Sequence, residues 1–161
     1  MRLLLFTFYL CSFLLDAFLN CSGSTPATPD NTMGFSVDGM AYAIKTNVYA
    51  SQSADSLSVS GNAPQAPPTP SPSVYLTFPK AVGTYQLANR GAGMAVFNTG
   101  NQNSDVYYAG TKAGTVFGNG TITVDSYVGN TITGTFSFTA QHAGSGMTKT
   151  VTDGHFSCSV R

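Results

Sequence analysis

The chain has 161 residues, of which only 9% are charged and 42% are hydrophobic; seven basic side chains balance seven aspartates, and there is no glutamate or tryptophan. Such neutrality leaves no electrostatic footprint for nucleic acid or for anionic lipid, and the apolar content is too high for a disordered chain. The length suits one domain, and the polar surface must be built from Ser, Thr, Asn and Gln, which with Gly, Val and Ile favour strands and turns over helices.

Residues 1–20 read as an export signal. Arg2 supplies the positive start, and the apolar run 3–15 is interrupted by Asp16. Thirteen residues are too few to cross a bilayer core of about 30 Å as a helix, so cleavage is expected rather than a permanent span. The stretch Ala17-Phe18-Leu19-Asn20-Cys21, followed by Ser22-Gly23-Ser24, resembles a bacterial lipoprotein lipobox. The resemblance implies that Cys21 becomes the acylated N-terminus, where two or three acyl chains hold firmly. An ordinary signal peptide with an incidental cysteine is the alternative. After processing only Cys158 remains, so an internal disulfide is not expected. Cys158 alternates with Phe156 and Val160 and is expected to be a buried, inert thiol.

Residues 22–32 form a Ser/Thr/Pro tether without apolar period, and residues 33–161 form the folded domain. Met33, Phe35 and Val37 alternate ahead of Asp38-Gly39, a strong two-residue hairpin signal. That turn sets Val37 opposite Met40, Phe35 opposite Tyr42 and Met33 opposite Ile44, with the apolar side chains on one face. Weaker strands follow around Leu57 and Val59, then Val74, Leu76 and Phe78, then Tyr85 and Leu87, and at 94–97, 106–109 and 115–117. Between them, the five prolines within 63–72 predict an extended, polyproline-like loop.

Across 121–140 a two-residue turn at Gly129-Asn130 would put Val124 opposite Thr135, setting apolar against polar. A loop of odd length or one bulge repairs this, and a connection of three or five residues around Gly129 is expected. Near the end, Asp153-Gly154 reads as a second hairpin turn, pairing Val151 with Phe156 and Met147 with Val160 and leaving Lys149 opposite Cys158. The expected fold is an all-β antiparallel sandwich of about nine to eleven short strands, with a small β-barrel as the alternative.

Phe35 with Asp38-Gly39, Gly83-Thr84-Tyr85, Gly134-Thr135-Phe136-Ser137-Phe138, and Val151-Thr152-Asp153-Gly154 before Phe156 occur in an order that resembles the small lipoproteins of unknown function common in Bacteroidetes. The resemblance implies an all-β domain of the cell envelope, most simply at the outer membrane, and brings no catalytic residues.

Chemistry is sparse. His142 and His155 are the only imidazoles; Gly144-Ser145-Gly146 near His142 lacks the strand-turn-helix setting of a nucleophile elbow. The aspartates are scattered, with Asp38 and Asp153 committed to turns and Asp125 outward. No zinc spacing is present, and 101–105 reads as a polar turn rather than a calcium loop. No enzyme activity, metal or cofactor is expected. Tyr75, Tyr107 and Tyr127 alternate away from inward residues and are the candidates for surface recognition, since exposed tyrosine stacks on sugars and anchors protein contacts. The expected function is a non-enzymatic envelope module that binds a protein partner or glycan or plays a structural part. A small hydrophobic-ligand carrier is the first alternative, and a hydrolase without a recognisable motif the second.

Overall fold

The computed structural model describes residues 30–64, 71–88, 92–101 and 105–161. The export leader, Cys21, the tether up to residue 29 and the central part of the proline-rich loop lie outside the described residues. Twelve strands form one antiparallel sheet: β1 (Thr32–Val37), β2 (Met40–Ile44), β3 (Val48–Gln52), β4 (Ser56–Asn62), β5 (Ser73–Pro79), β6 (Gly83–Gln86), β7 (Met94–Asn98), β8 (Val106–Lys112), β9 (Thr115–Phe117), β10 (Asn119–Val128), β11 (Thr131–His142) and β12 (Thr148–Ser159). The order β2-β1-β12-β11-β8-β7-β5-β4-β3 curls until β3 meets the chain just beyond β12, which leaves β2 at the other end of the order. Val160 bridges Ala50, and the Arg161 N–H donates to the Ala50 carbonyl at 3.0 Å, so the sheet is nearly closed and barrel-like. Off this path, the long strand β10 pairs with β11 and carries β6, and the short β9 pairs with β8. The all-β antiparallel expectation holds. The strand missed in sequence is β3, whose inward residues are Val48 and the small Ala50.

Alternation decides which residues go inside. Along β4 and β5, Leu57, Val59, Val74, Leu76 and Phe78 are fully buried while Ser58, Ser60, Tyr75 and Thr77 face out. An aromatic spine crosses the interior from Phe78 to Phe156 (6.0 Å between ring centroids), Phe136 (6.4 Å) and Phe35 (6.4 Å), and ends on Tyr42 (5.4 Å). Each such pair adds about 0.5–1.5 kcal/mol beyond its buried area.

The first hairpin forms as its turn residues dictate. Asp38 and Gly39 both take positive φ, at 49° and 86°, and the pairs Val37↔Met40, Phe35↔Tyr42 and Met33↔Ile44 are all present. The second expected hairpin does not form. Asp153-Gly154 instead makes a bulge inside the continuous strand β12, with Asp153 at φ 54° and register shifts against both β11 and β1. Val151 therefore pairs with Phe138 and Val37, and Lys149 pairs with Ala140, not with Cys158. A residue tolerant of positive φ followed by glycine suits a bulge as well as a turn. The long partners on both sides decide between them here.

The β10–β11 connection is also corrected. Gly129-Asn130 is a two-residue turn closing Val128↔Thr131, and a bulge at Asp125 restores Val124↔Gly134 and Ile122↔Phe136. Across β11 and β12, Gly134 lies opposite Phe156 and Phe136 opposite Gly154, so each ring occupies the space left by a missing side chain. A methyl on Gly134 would meet Phe156 Cζ at 2.6 Å, and one on Gly154 would meet Phe136 Cε2 at 2.5 Å.

Candidate functional site

Charged side chains are few, yet several gather at one end of the barrel, where the β1–β2, β7–β8 and β11–β12 turns meet the start of β5. Asp38 occupies the first hairpin turn and Lys149 the start of β12. The bulge at Asp153 sets the register that brings them together, through Val37↔Val151 and an Asp38 N–H that donates to the Thr150 carbonyl at 3.3 Å. Lys149 Nζ donates to Asp38 Oδ2 at 2.6 Å, the one salt bridge among the described residues. The Lys149 hydrogen bond holds the Asp38 carboxyl below its ordinary range, partly opposed by burial and aided by the Thr150 N–H, and the same pair raises Lys149.

Beside this pair, Asp105 accepts a hydrogen bond from the Thr99 hydroxyl. That bond, with further hydrogen bonds from Tyr107 and Asn101, holds Asp105 low against the opposing effect of burial. Burial first and Asp105 second push the Tyr107 hydroxyl up. His142 meets the Tyr107 ring edge-on at 5.4 Å. Its Nδ1 accepts the N–H groups of Gly144 (3.2 Å) and Ser145 (3.0 Å), with Ser145 Oγ also at 3.0 Å. This is the geometry of a side chain capping a turn: a base taking the Ser145 proton would have to release both main-chain donors.

Between these groups lies a cleft of about 270 Å³. Val37, Met40, Tyr42, Pro72 and Phe97 form its apolar wall, and Asp38, Thr99, Asn101 and Lys149 its polar rim. Clefts that combine an apolar wall with a few convergent polar groups, where titratable groups depart from their ordinary values, are where ligands bind. Two further depressions, of about 360 and 330 Å³, flank His155 on the outer face and are lined largely by Gly, Ala, Ser and Thr.

The sequence-derived candidates do not converge. Tyr75 is 40% exposed on β5 and its hydroxyl donates to Ser58 Oγ at 2.8 Å. Tyr127 is half-buried against the core, its hydroxyl 3.5 Å from Gln52 Oε1. Tyr107 is a correction: it is 3% exposed, because inward residues of β8 pair with those of β7, setting it opposite Phe97. It supports the cleft from below instead of facing solvent. Tyr49, 44% exposed on the overlooked β3, shares a cross-strand row with Ser60 and Tyr75. The cleft residues went unrecognised because they come from four separate segments with no motif spacing; the one local signal was Lys149 standing out of pattern in an apolar strand. Cys158 is fully buried and its thiol is pushed up to about 11 by desolvation, an unreactive group.

Residues 34–158 match the family model described as Domain of unknown function (DUF6252), and the chain belongs to that family. No curated protein and no solved structure matches it.

Proposed function

We propose that this DUF6252 domain is a non-enzymatic glycan-binding module of the cell envelope, held at the outer membrane by lipid on Cys21, with the barrel-end cleft as its binding site. The observation that carries this reading is the pairing of an apolar wall that includes the Tyr42 ring with hydrogen-bonding groups of both signs in about 270 Å³. A pyranose ring presents an apolar C–H face, which stacks on Tyr42, and a rim of hydroxyls. Asp38 accepts from those hydroxyls and Lys149 donates to them; Thr99, whose proton goes to Asp105, accepts, and Asn101 does both. The two charged groups give the stronger bonds. The volume suits one or two sugar rings. The near-neutral chain favours an uncharged glycan over a nucleic acid or polyanion.

Binding of the full chain to a panel of neutral oligosaccharides tests this. Tyr42→Ala and Asn101→Ala should each weaken the best binder about tenfold or more, as expected for a lost stacking or hydrogen-bonding group, and Tyr75→Ala should leave it unchanged. Binding indifferent to both cleft substitutions, or absent across the panel, would refute the site. Mass spectrometry of the mature N-terminus tests the anchor: diacylglycerol on Cys21 is expected, and an unmodified terminus elsewhere removes it.

A further inference from the structure

Strand β2 ends the sheet order and, among the described residues, pairs with β1 alone. A two-residue hairpin turn makes Met40, Tyr42 and Ile44 the residues hydrogen-bonded to β1. The N–H and C=O groups of Ala41 and Ala43 therefore point to the free edge, on residues whose small side chains are themselves exposed. Proteins usually blunt such an edge with charge, proline or a bulge. Met40–Ile44 carries none of these.

We propose that a second copy of this chain occupies the edge, β2 against β2, in an antiparallel pair about a two-fold axis at Tyr42. The segment is self-complementary in that register. Ala41 of each copy exchanges two hydrogen bonds with Ala43 of the other, Tyr42 faces Tyr42, and Met40 faces Ile44. Apolar meets apolar on the inner side, and alanine meets alanine on the outer. The flanks agree in charge: the same register brings Lys45, exposed just after β2, beside the Asp38 turn of the other copy. The tether is a poor rival for this edge, because Pro26 and Pro29 lack the N–H groups that a ladder needs. Tyr42 lines the cleft as well as the axis, so pairing sets two clefts side by side, facing one extended ligand. The pairing itself stands whatever the cleft binds.

The test is oxidative cross-linking of the full chain in the cells that express it. Tyr42→Cys lies on the axis, at a non-hydrogen-bonded position whose Cα separation of about 4.5 Å lies within disulfide range. It should give a covalent dimer well above the unsubstituted chain. The double variant Ala41→Cys with Ala43→Cys should do the same without disturbing Tyr42 packing. Tyr75→Cys, on another wall, should not. Ala43→Pro removes an edge donor not used by β1, and should weaken association about tenfold or more. No dimer from either cysteine variant, equal cross-linking at Tyr75→Cys, or indifference to Ala43→Pro would overturn the proposal.

Discussion

Two walls of the barrel are built differently. From Val48↔Gly61 on β3 and β4 to Thr77↔Met94 on β5 and β7, pairing runs without a register shift, and inward and outward residues alternate throughout. The wall of β1, β12, β11 and β10 is broken by shifts at Asp125 and at Asp153-Gly154, and two of its inward positions are glycines covered by phenylalanines of the neighbouring strand. Plain alternation gives a regular wall with serine and tyrosine outside. The bulged wall bends its strands, stacks Phe136 on Phe156, and delivers Asp38 and Lys149 to one another. The barrel-end cleft lies where irregularity has been used to aim side chains.

The largest effect should come from deleting Asp153. Without the extra residue, the part of β12 on one side of it slips by one, turning either Phe156, Cys158 and Val160 or Val151 outward. The variant should fail to give a cooperative unfolding transition, whereas Ser60→Thr on the plain wall should stay within about 0.5 kcal/mol of the parent. Next, Phe156→Ala should cost about 3–5 kcal/mol in a denaturant titration, because its ring links β5, β11 and the space above Gly134. Gly134→Ala should cost about 3 kcal/mol, at the upper end of overpacking effects, because the added methyl would press on the Thr123 main-chain carbonyl as well as on that ring. Both values would distinguish tight ring-on-glycine packing from a wall with room to relax.

The smallest effect concerns the ion pair. The folded pKa of Asp38 is depressed, so its contribution is present above the ordinary carboxylate value and is lost as pH falls through the lower folded value. That of Lys149 is raised, so its contribution is present below the ordinary ammonium value and is lost as pH rises through the higher folded value. With Lys149 one-third and Asp38 half exposed, solvent screening limits the pair to about 1 kcal/mol or less. Lys149→Met should therefore lower stability by no more than that near neutrality and flatten the acid limb of the pH–stability curve.

In the regular wall, β4, β5 and β7 are legible in the sequence from period-two alternation, whereas β3, with only Val48 and the small Ala50 inward, is not; the first hairpin is legible pair by pair, down to Met33↔Ile44, because its turn fixes the register. The bulged wall was legible only as far as its defects. Val124 could not face Thr135 and Lys149 could not face Cys158, and both conflicts marked real bulges, but a local pattern does not say whether the extra residue sits in the strand or in the turn. Asp153-Gly154 has the chemistry of both. Tyr107 was misplaced because two tyrosines in succession leave the inward one undecided until Phe97 is known to lie opposite. The cleft was not legible, since residues 38, 42, 97–101 and 149 meet only through the closed order of strands.

The most direct test of the cleft is a titration of the full chain with its best-binding oligosaccharide, followed by amide NMR shifts. The expected result is a set of saturating shifts centred on Asp38, Tyr42, Thr99, Asn101 and Lys149. Saturating shifts centred instead on Tyr49 and Tyr75, with the barrel end unmoved, would contradict it.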